Sequence, residues 1–208
     1  MLILASSSKA RRTLLEKLNI PFEVIVSDVN EKKHPSGNVK EIVEYLAKAK
    51  AENVLGKLEH DKNKNLLFRK TFAILGCDSL FEFNGIFFGK PHDAEEATNR
   101  WKLISGKSGF IHTGHCLISK KTLDSDHKEE GFSELITKVI STKINFSYLS
   151  ESDITNYIQT GEPLNCAGGF SLEGLGTPYI NSIEGCYSNV IGLSLPWLRV
   201  CLSRKNLL

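Results

Sequence analysis

The sequence lacks the features that mark several large classes of protein. No run of 18 apolar residues occurs in the 208-residue chain, so no membrane-spanning helix is predicted. No cationic stretch precedes the short apolar start, so no signal peptide is predicted either. The net charge of +2 is too small for a nucleic-acid surface spread over the whole protein. We therefore expect a soluble, cytoplasmic protein.

Metal and disulfide motifs are also missing. The 5 cysteines include no C-x-x-C pair and their number is odd, which favours a reducing compartment. The 6 histidines form no H-E-x-x-H motif. His112 and His115 lie in a strand-like segment, where positions i and i+3 face opposite sides of a sheet. No histidine metal site is therefore predicted.

The residues that are present have the composition of an ordinary globular protein. Hydrophobic residues make up 41% of the chain and charged residues 24%. Strand-like and helical apolar patterns alternate, which predicts a mixed α/β fold in a single domain over residues 1–208. Asn84-Gly85 between two apolar segments predicts a β-hairpin. The polar stretches from Lys57 to Lys70 and from Lys120 to Gly131 are predicted to be loops.

The strongest local signal is the segment from Ser6 to Arg12. Ser8 is a good N-cap for the helix that follows. Lys9, Arg11 and Arg12 then fall near the first turn, where the helix dipole disfavours a cation by about 0.3–1 kcal/mol. A bound anion would offset this effect, because backbone amides, serine hydroxyls and guanidinium groups suit a polyphosphate. The alternative is a solvated basic helix start.

Three further charged residues have unusual positions. The helical spacing of apolar residues places Lys50 on a buried face, where it either reaches a phosphate or extends to solvent. Asp78 follows the apolar segment Phe72 to Gly76, at the predicted carboxyl end of a strand, where ligand clefts open. A carboxylate there either holds a divalent metal or takes a proton from water, or it merely starts a turn. Pro91 favours an extended backbone at Lys90, whose side chain either projects to a ligand or lies on the surface.

Taken together, these segments resemble the Maf family of septum-formation-type nucleoside triphosphate pyrophosphatases. The resemblance is carried by Leu2 to Arg12, Asp28 to Glu31, Leu46 to Ala51, Gly76 to Ser79, Gly89 to Pro91, Ser105 to Lys107 and Ser188 to Leu193. It implies the Maf/ITPase-like fold, an elongated twisted mixed sheet flanked by helices, with two lobes around a central nucleotide cleft.

The resemblance also implies an activity and a set of site residues. The activity is hydrolysis of a nucleoside triphosphate to a monophosphate and pyrophosphate, with a divalent cation, Mg²⁺ or Mn²⁺. Asp78 matches the general base, and Glu31 matches an acidic residue near the metal, which makes Glu31 and Asp78 the implied metal ligands. The implied substrate-binding residues are Ser7, Ser8, Arg11, Arg12, Lys50 and Lys90. A homodimer is implied as well.

One glycine-rich loop departs from the pyrimidine-specific branch of this family. Cys166 replaces a lysine of that branch and Glu173 a glutamine, which resembles the branch that acts on 7-methylguanosine triphosphate. Tyr187 to Val190, in contrast, is typical of the pyrimidine branch. An ionised carboxylate only accepts hydrogen bonds, and guanine offers adjacent N1–H and N2–H₂ donors. We therefore predict that Glu173 binds the substrate and favours guanine-type, including 7-methylated, triphosphates over dTTP and UTP.

Two other classes of function are alternatives. The first is a non-catalytic nucleotide-binding regulator of cell division or septum formation, against which the presence of Asp78 and all four matching cations argues. The second is a nucleic-acid-binding protein, which is disfavoured because aromatic residues do not interleave with the clustered cations. We expect a nucleoside triphosphate substrate, with no nucleic acid or membrane as partner.

Overall fold

The structure is a computed structural model in which residues 1–60, 65–120, 131–205 and 207 are described. The strands are β1 (Leu2–Leu4), β2 (Phe22–Val24), β3 (Ala73–Phe83), β4 (Ile86–Phe88), β5 (Ser108–Lys120), β6 (Phe132–Phe146) and β7 (Ile180–Glu184). The α-helices are α1 (Lys9–Glu16), α2 (Val39–His60), α3 (Asn65–Lys70), α4 (Ala94–Ile104), α5 (Glu151–Gln159), α6 (Tyr187–Ile191) and α7 (Leu195–Ser203). Short 3-10 helices cover Glu162–Asn165, Ala167–Gly169 and Thr177–Tyr179. Within the described residues, no helix has the length and apolar character needed to cross a bilayer.

The strands form one mixed sheet in the order β2-β1-β3-β5-β6-β7, with β4 paired to β3. β1 pairs in parallel with β2 and with β3, whereas β4 runs antiparallel to β3 and β7 antiparallel to β6. Parallel neighbours need crossover connections, which the chain supplies as α1 before β2 and as α2 and α3 before β3. The mixed α/β fold predicted from the sequence is confirmed.

Two compact units divide the chain. Unit 1 comprises Met1–Asp78, Gly114–Val139 and Gly192–Leu208, and unit 2 comprises Ser79–Thr113 and Ile140–Ile191. The boundaries fall inside β3, β5 and β6, so each of these strands contributes residues to both units.

The core of unit 1 brings α2 unusually close to β3. A Cβ atom at Gly76 would lie 2.1 Å from the carbonyl oxygen of Ala47, so the helix packs directly on the strand backbone. Side chains alternate along a strand and repeat every three to four residues along a helix. Asp78, two residues after Gly76, and Lys50, three after Ala47, therefore lie on the facing sides of β3 and α2. The surrounding apolar residues are Ile3, Ala5, Ala51, Val54, Leu58, Ile74, Cys116 and Ile118.

The core of unit 2 is aromatic. Trp101 lies at its centre and makes edge-to-face contacts with Phe146 and Tyr157, at ring-centroid distances of 5.5 and 5.3 Å. Phe81 and Phe170 extend the same cluster. The buried indole Nε1 of Trp101 donates a hydrogen bond to the Gly169 carbonyl oxygen at 2.9 Å, which satisfies its polar atom.

The hairpin prediction is confirmed, and two other local predictions are wrong. Asn84 and Gly85 have φ angles of 52° and 79°, as a two-residue type I′ turn between β3 and β4 requires. The predicted loop from Lys57 to Lys70 is instead helical over its described residues, because α2 runs to His60 and α3 spans Asn65–Lys70. Most of the predicted loop from Lys120 to Gly131 lies outside the described residues.

The predicted strand end at Asp78 is the second error. β3 continues through Asp78 to Phe83, so the carboxylate stands in the middle of an 11-residue strand. A charged side chain interrupts the apolar pattern there, and such an interruption is typical of a strand end. The structure tolerates the carboxylate because Lys50 neutralises it.

Candidate active site

The segment from Ser6 to Arg12 forms a hydrogen-bonded helix start in unit 1. Ser8 is the N-cap of α1, and its Oγ accepts a hydrogen bond from the Arg11 amide at 3.3 Å, which confirms the predicted cap. Ser6 was not predicted as a site residue, yet its buried Oγ accepts from the Ser8 amide and from Arg11 Nη1, at 3.3 and 3.1 Å. Ser7 is exposed and Ser8 half-buried.

The two arginines of this segment have different environments. Arg11 is 8% exposed, and its Nε donates to the Gly192 carbonyl oxygen at 2.8 Å. Its guanidinium is thus held by Gly192 and Ser6 in one orientation. Arg12 is exposed at the helix surface. The structure therefore provides one fixed and one solvent-facing guanidinium at the helix start.

A buried lysine joins two carboxylates in the same unit. Lys50 Nζ lies 2.5 Å from Asp78 Oδ1 and 2.6 Å from Glu31 Oε1. The side chains of Lys50 and Asp78 are 6% and 8% exposed, whereas that of Glu31 is 62% exposed. Lys50 does not extend to solvent, which was the alternative that its position on the helix allowed. Three predicted site residues from distant parts of the sequence are thus brought into direct contact.

The electrostatics of this cluster favour a carboxylate that can take up a proton. Burial raises the pKa of the Asp78 carboxyl above its ordinary range, and this outweighs the opposing effect of the Lys50 and Arg11 charges. A carboxylate with a raised pKa is a better proton acceptor than a surface aspartate. The adjacent Cys77 is fully buried, and burial raises the pKa of its thiol to about 11, so it is a packing residue.

The same carboxylates fit a divalent cation. Glu31 and Asp78 converge on one positive charge, at 2.6 and 2.5 Å from Lys50 Nζ, and offer hard oxygen ligands. Within residues 1–60, 65–120, 131–205 and 207, no group of three or more His, Cys, Asp or Glu residues could hold a metal ion. Mg²⁺ is commonly bound by one or two carboxylates together with substrate phosphates. The donor set therefore suits a cation that the substrate helps to bind.

Lys90 lies in unit 2, two residues after the end of β4. Its side chain is exposed, while the neighbouring Pro91 is buried. The preceding Gly89 carbonyl oxygen accepts hydrogen bonds from Arg100 Nη1 and the Gly168 amide, at 2.6 and 3.0 Å. The backbone just before Lys90 is thus held by two hydrogen bonds.

Glu173 also lies in unit 2, on an exposed part of the glycine-rich loop. The amides of Leu175 and Gly176 in this loop donate to the carboxylate of Glu162, at 3.1 and 3.0 Å. A Cβ atom at Gly174 would lie 1.7 Å from Glu162 Oε1. The glycine at position 174 thus lets the loop backbone approach Glu162 closely.

The two histidines of β5 have separate sets of partners. In unit 2, His112 lies between Glu82 and Ser141, with 2.9 Å from Nε2 to Glu82 Oε2 and 2.7 Å from Nδ1 to Ser141 Oγ. In unit 1, His115 binds two backbone groups. No role was predicted for either histidine from the sequence.

Comparison with known proteins gives the family. A family model described as Maf-like protein matches residues 1–205. A Prochlorococcus marinus protein named nucleoside triphosphate pyrophosphatase is 52% identical over 207 residues, which cover 100% of this chain and 98% of that protein. A Synechococcus protein of the same name is 45% identical over 203 residues, which cover 98% of this chain and 99% of that protein. The chain therefore belongs to the Maf family, as the resemblance implied.

Proposed function

We propose that this protein is a nucleoside triphosphate pyrophosphatase, which hydrolyses its substrate to a nucleoside monophosphate and pyrophosphate. The observation that carries the proposal is the buried Lys50–Asp78 pair, joined by Glu31 and close to the fixed Arg11. The relatives that bear this enzyme name match nearly the whole chain, which supports the same activity here.

The reaction requires a proton acceptor and fixed positive charges. A water oxygen attacks the α-phosphorus, and its proton passes to Asp78. The bond from the α-phosphorus to the bridging oxygen breaks, and its electron pair leaves with pyrophosphate. Arg11, Arg12 and Lys50 bind the triphosphate and neutralise its negative charge, including the charge on the leaving pyrophosphate. Lys90 is assigned to the same role by the family resemblance alone.

We propose Mg²⁺, with Mn²⁺ as a substitute, as the cofactor. Glu31 and Asp78 are the residues that would hold it, because both carboxylates already converge on one cation. When bound, the cation would supply additional neutralisation of the triphosphate charge. The protein residues would orient the substrate and accept the proton.

The test is pyrophosphate release from a panel of nucleoside triphosphates that includes dTTP, UTP, GTP and 7-methyl-GTP. We expect release with Mg²⁺ and none with excess EDTA, and an Asp78→Asn variant is the matched inactive control. Tight binding of a triphosphate without pyrophosphate release would favour the non-catalytic regulator instead.

The preferred base and the homodimer are finer proposals that rest on the resemblance, and the cytoplasmic location is a separate proposal. We propose that guanine-type triphosphates, including 7-methyl-GTP, are preferred, since Glu173 offers only hydrogen-bond acceptors when ionised. Sedimentation of the purified protein tests the dimer, and cell fractionation tests the location.

A further inference from the structure

His115 is a fully buried residue of unit 1 that contacts two backbone groups. Its Nδ1 lies 3.2 Å from the Lys138 carbonyl oxygen, and its Nε2 lies 2.9 Å from the Ser194 amide nitrogen. Because a backbone N–H can only donate, Nε2 must be the unprotonated nitrogen, and Nδ1 then donates to the Lys138 carbonyl. The Trp197 ring packs against the imidazole at a centroid distance of 4.9 Å. These contacts fix the orientation and the neutral tautomer of His115.

Ser194 is close in sequence to a residue that binds the buried Arg11. Gly192, two residues earlier, accepts the hydrogen bond from Arg11 Nε at 2.8 Å, and the intervening Leu193 is fully buried. Gly192 has a φ of +120°, and a Cβ atom there would lie 3.2 Å from Arg11 Nε. The segment 192–194 is thus in direct contact with Arg11 at one end and bonded to His115 at the other.

We propose that His115 is a positioning residue for Arg11. By accepting the Ser194 amide hydrogen bond, it holds the segment 192–194 so that the Gly192 carbonyl points at Arg11 Nε. In this role the imidazole acts through the 192–194 segment and Arg11. This inference rests on the proposed function, in which Arg11 binds the triphosphate, and it adds a residue outside the family motifs described above.

Two neutral amide substitutions separate the two bonds of His115. The oxygen of Gln can occupy the place of Nε2, so His115→Gln keeps an acceptor for the Ser194 amide. The amide of Asn can reach only the place of Nδ1, so His115→Asn keeps the Lys138 bond and loses the Ser194 bond. We expect KM for the triphosphate to rise about tenfold in His115→Asn and less than about threefold in His115→Gln, with kcat little changed in both.

A double-mutant cycle distinguishes positioning from general destabilisation. If His115 acts through Arg11, His115→Asn should change KM less than about twofold in an Arg11→Ala background. An equal rise in KM with and without Arg11 would overturn the proposal, as would equal KM values for the Gln and Asn variants.

A second readout does not need turnover. The ¹⁵N–¹H signal of the Arg11 Nε–H group, assigned by its loss in Arg11→Lys, reports the hydrogen bond to Gly192. We expect this signal to shift in His115→Asn and to stay in place in His115→Gln. The same substitution at the other β5 histidine, His112→Asn, is the matched control and should leave it in place. If the protein released no pyrophosphate, the proposed function would fail, and this signal would still decide the positioning role: an unshifted signal in His115→Asn overturns it.

Discussion

Replacing Asp78 by Asn should abolish turnover without destabilising the protein. The substitution preserves the size of the side chain and removes its negative charge and its ability to accept a proton. Loss of a general base typically lowers a rate by about 10²–10⁴. Under the proposed function, the Asp78 charge would also help to hold the metal ion, so we expect kcat to fall toward the upper part of that range.

The change in stability results from two opposing effects. Breaking a buried ion pair outright costs about 3–5 kcal/mol. In Asp78→Asn the loss of stability is smaller, because Lys50 Nζ still pairs with Glu31 Oε1 at 2.6 Å. The oxygen of Asn can also still accept a hydrogen bond from Lys50 Nζ. The opposing effect is the desolvation penalty of the charged Asp78 carboxylate, which is several kcal/mol for a buried ion. The substitution removes this penalty. Burial raises the Asp78 pKa despite the nearby cations, so desolvation outweighs the attraction of those cations.

The sign of the pH dependence follows from this raised pKa. Between the unfolded and the folded pKa, the folded protein binds more protons at Asp78, so its stability falls as the pH rises through that range. At pH 7 the charge therefore opposes folding, and Asp78→Asn should keep or raise the melting temperature. The variant should also lack this part of the pH dependence.

Pyrophosphate release and thermal melts on the same samples test both claims. For a chain of this size, 1 kcal/mol corresponds to about 2–4 °C in melting temperature. Glu184→Gln, at an exposed pair with Lys143, is the matched carboxylate-to-amide control and should change neither property. A kcat above a tenth of the original would end the proton-acceptor role of Asp78. A melting temperature lower by more than about 5 °C would refute the electrostatic argument.

Three further results are expected. Arg12→Ala should raise KM and keep or slightly raise the melting temperature. Arg12 is exposed, and a cation at a helix start lowers the stability of the helix by about 0.3–1 kcal/mol. A lower melting temperature with normal activity would contradict this. Glu173→Gln should shift kcat/KM from 7-methyl-GTP toward dTTP and UTP; an unchanged ratio would show that Glu173 does not select the base. Burial raises the pKa of Cys77 to about 11 and that of Cys116 to about 12. Iodoacetamide at pH 8 should therefore modify neither thiol and leave the activity unchanged. Modification of either thiol in the native protein, detected by mass spectrometry, would contradict this expectation.

The part of the site that depends on local patterns could be predicted from the sequence. The Ser8 cap and the inward direction of Lys50 follow from capping preferences and helical periodicity, which act within a few residues. The partners of these residues could not be predicted in the same way. That Lys50 contacts both Glu31 and Asp78 depends on the close approach of α2 to β3 at Gly76, and no local pattern signals that approach.

The errors have a similar physical origin. The sequence predicts too short a strand at Asp78 because a lone carboxylate among apolar residues is typical of a strand end, unless a cation from another element neutralises it. Arg11 and Arg12 look equivalent in the sequence, and they are distinguished by the hydrogen bonds of Arg11 to Ser6 and to the Gly192 carbonyl, which lies 181 residues away. His115 gave no signal for the same reason, since the groups that fix its ring nitrogens belong to the backbone of distant segments.

Charge balance connects the buried lysine with the expected metal requirement. Arg11 and Lys50 carry two positive charges and Asp78 and Glu31 two negative ones, so this cluster is neutral before a substrate binds. A neutral cluster is buried at a smaller cost than an isolated lysine or carboxylate. The same neutrality leaves little net positive charge for a triphosphate, which must then be balanced by exposed cations such as Arg12 and by a divalent cation. The stability of the free site and its proposed dependence on a metal thus have one electrostatic cause, and full activity in excess EDTA would contradict this account.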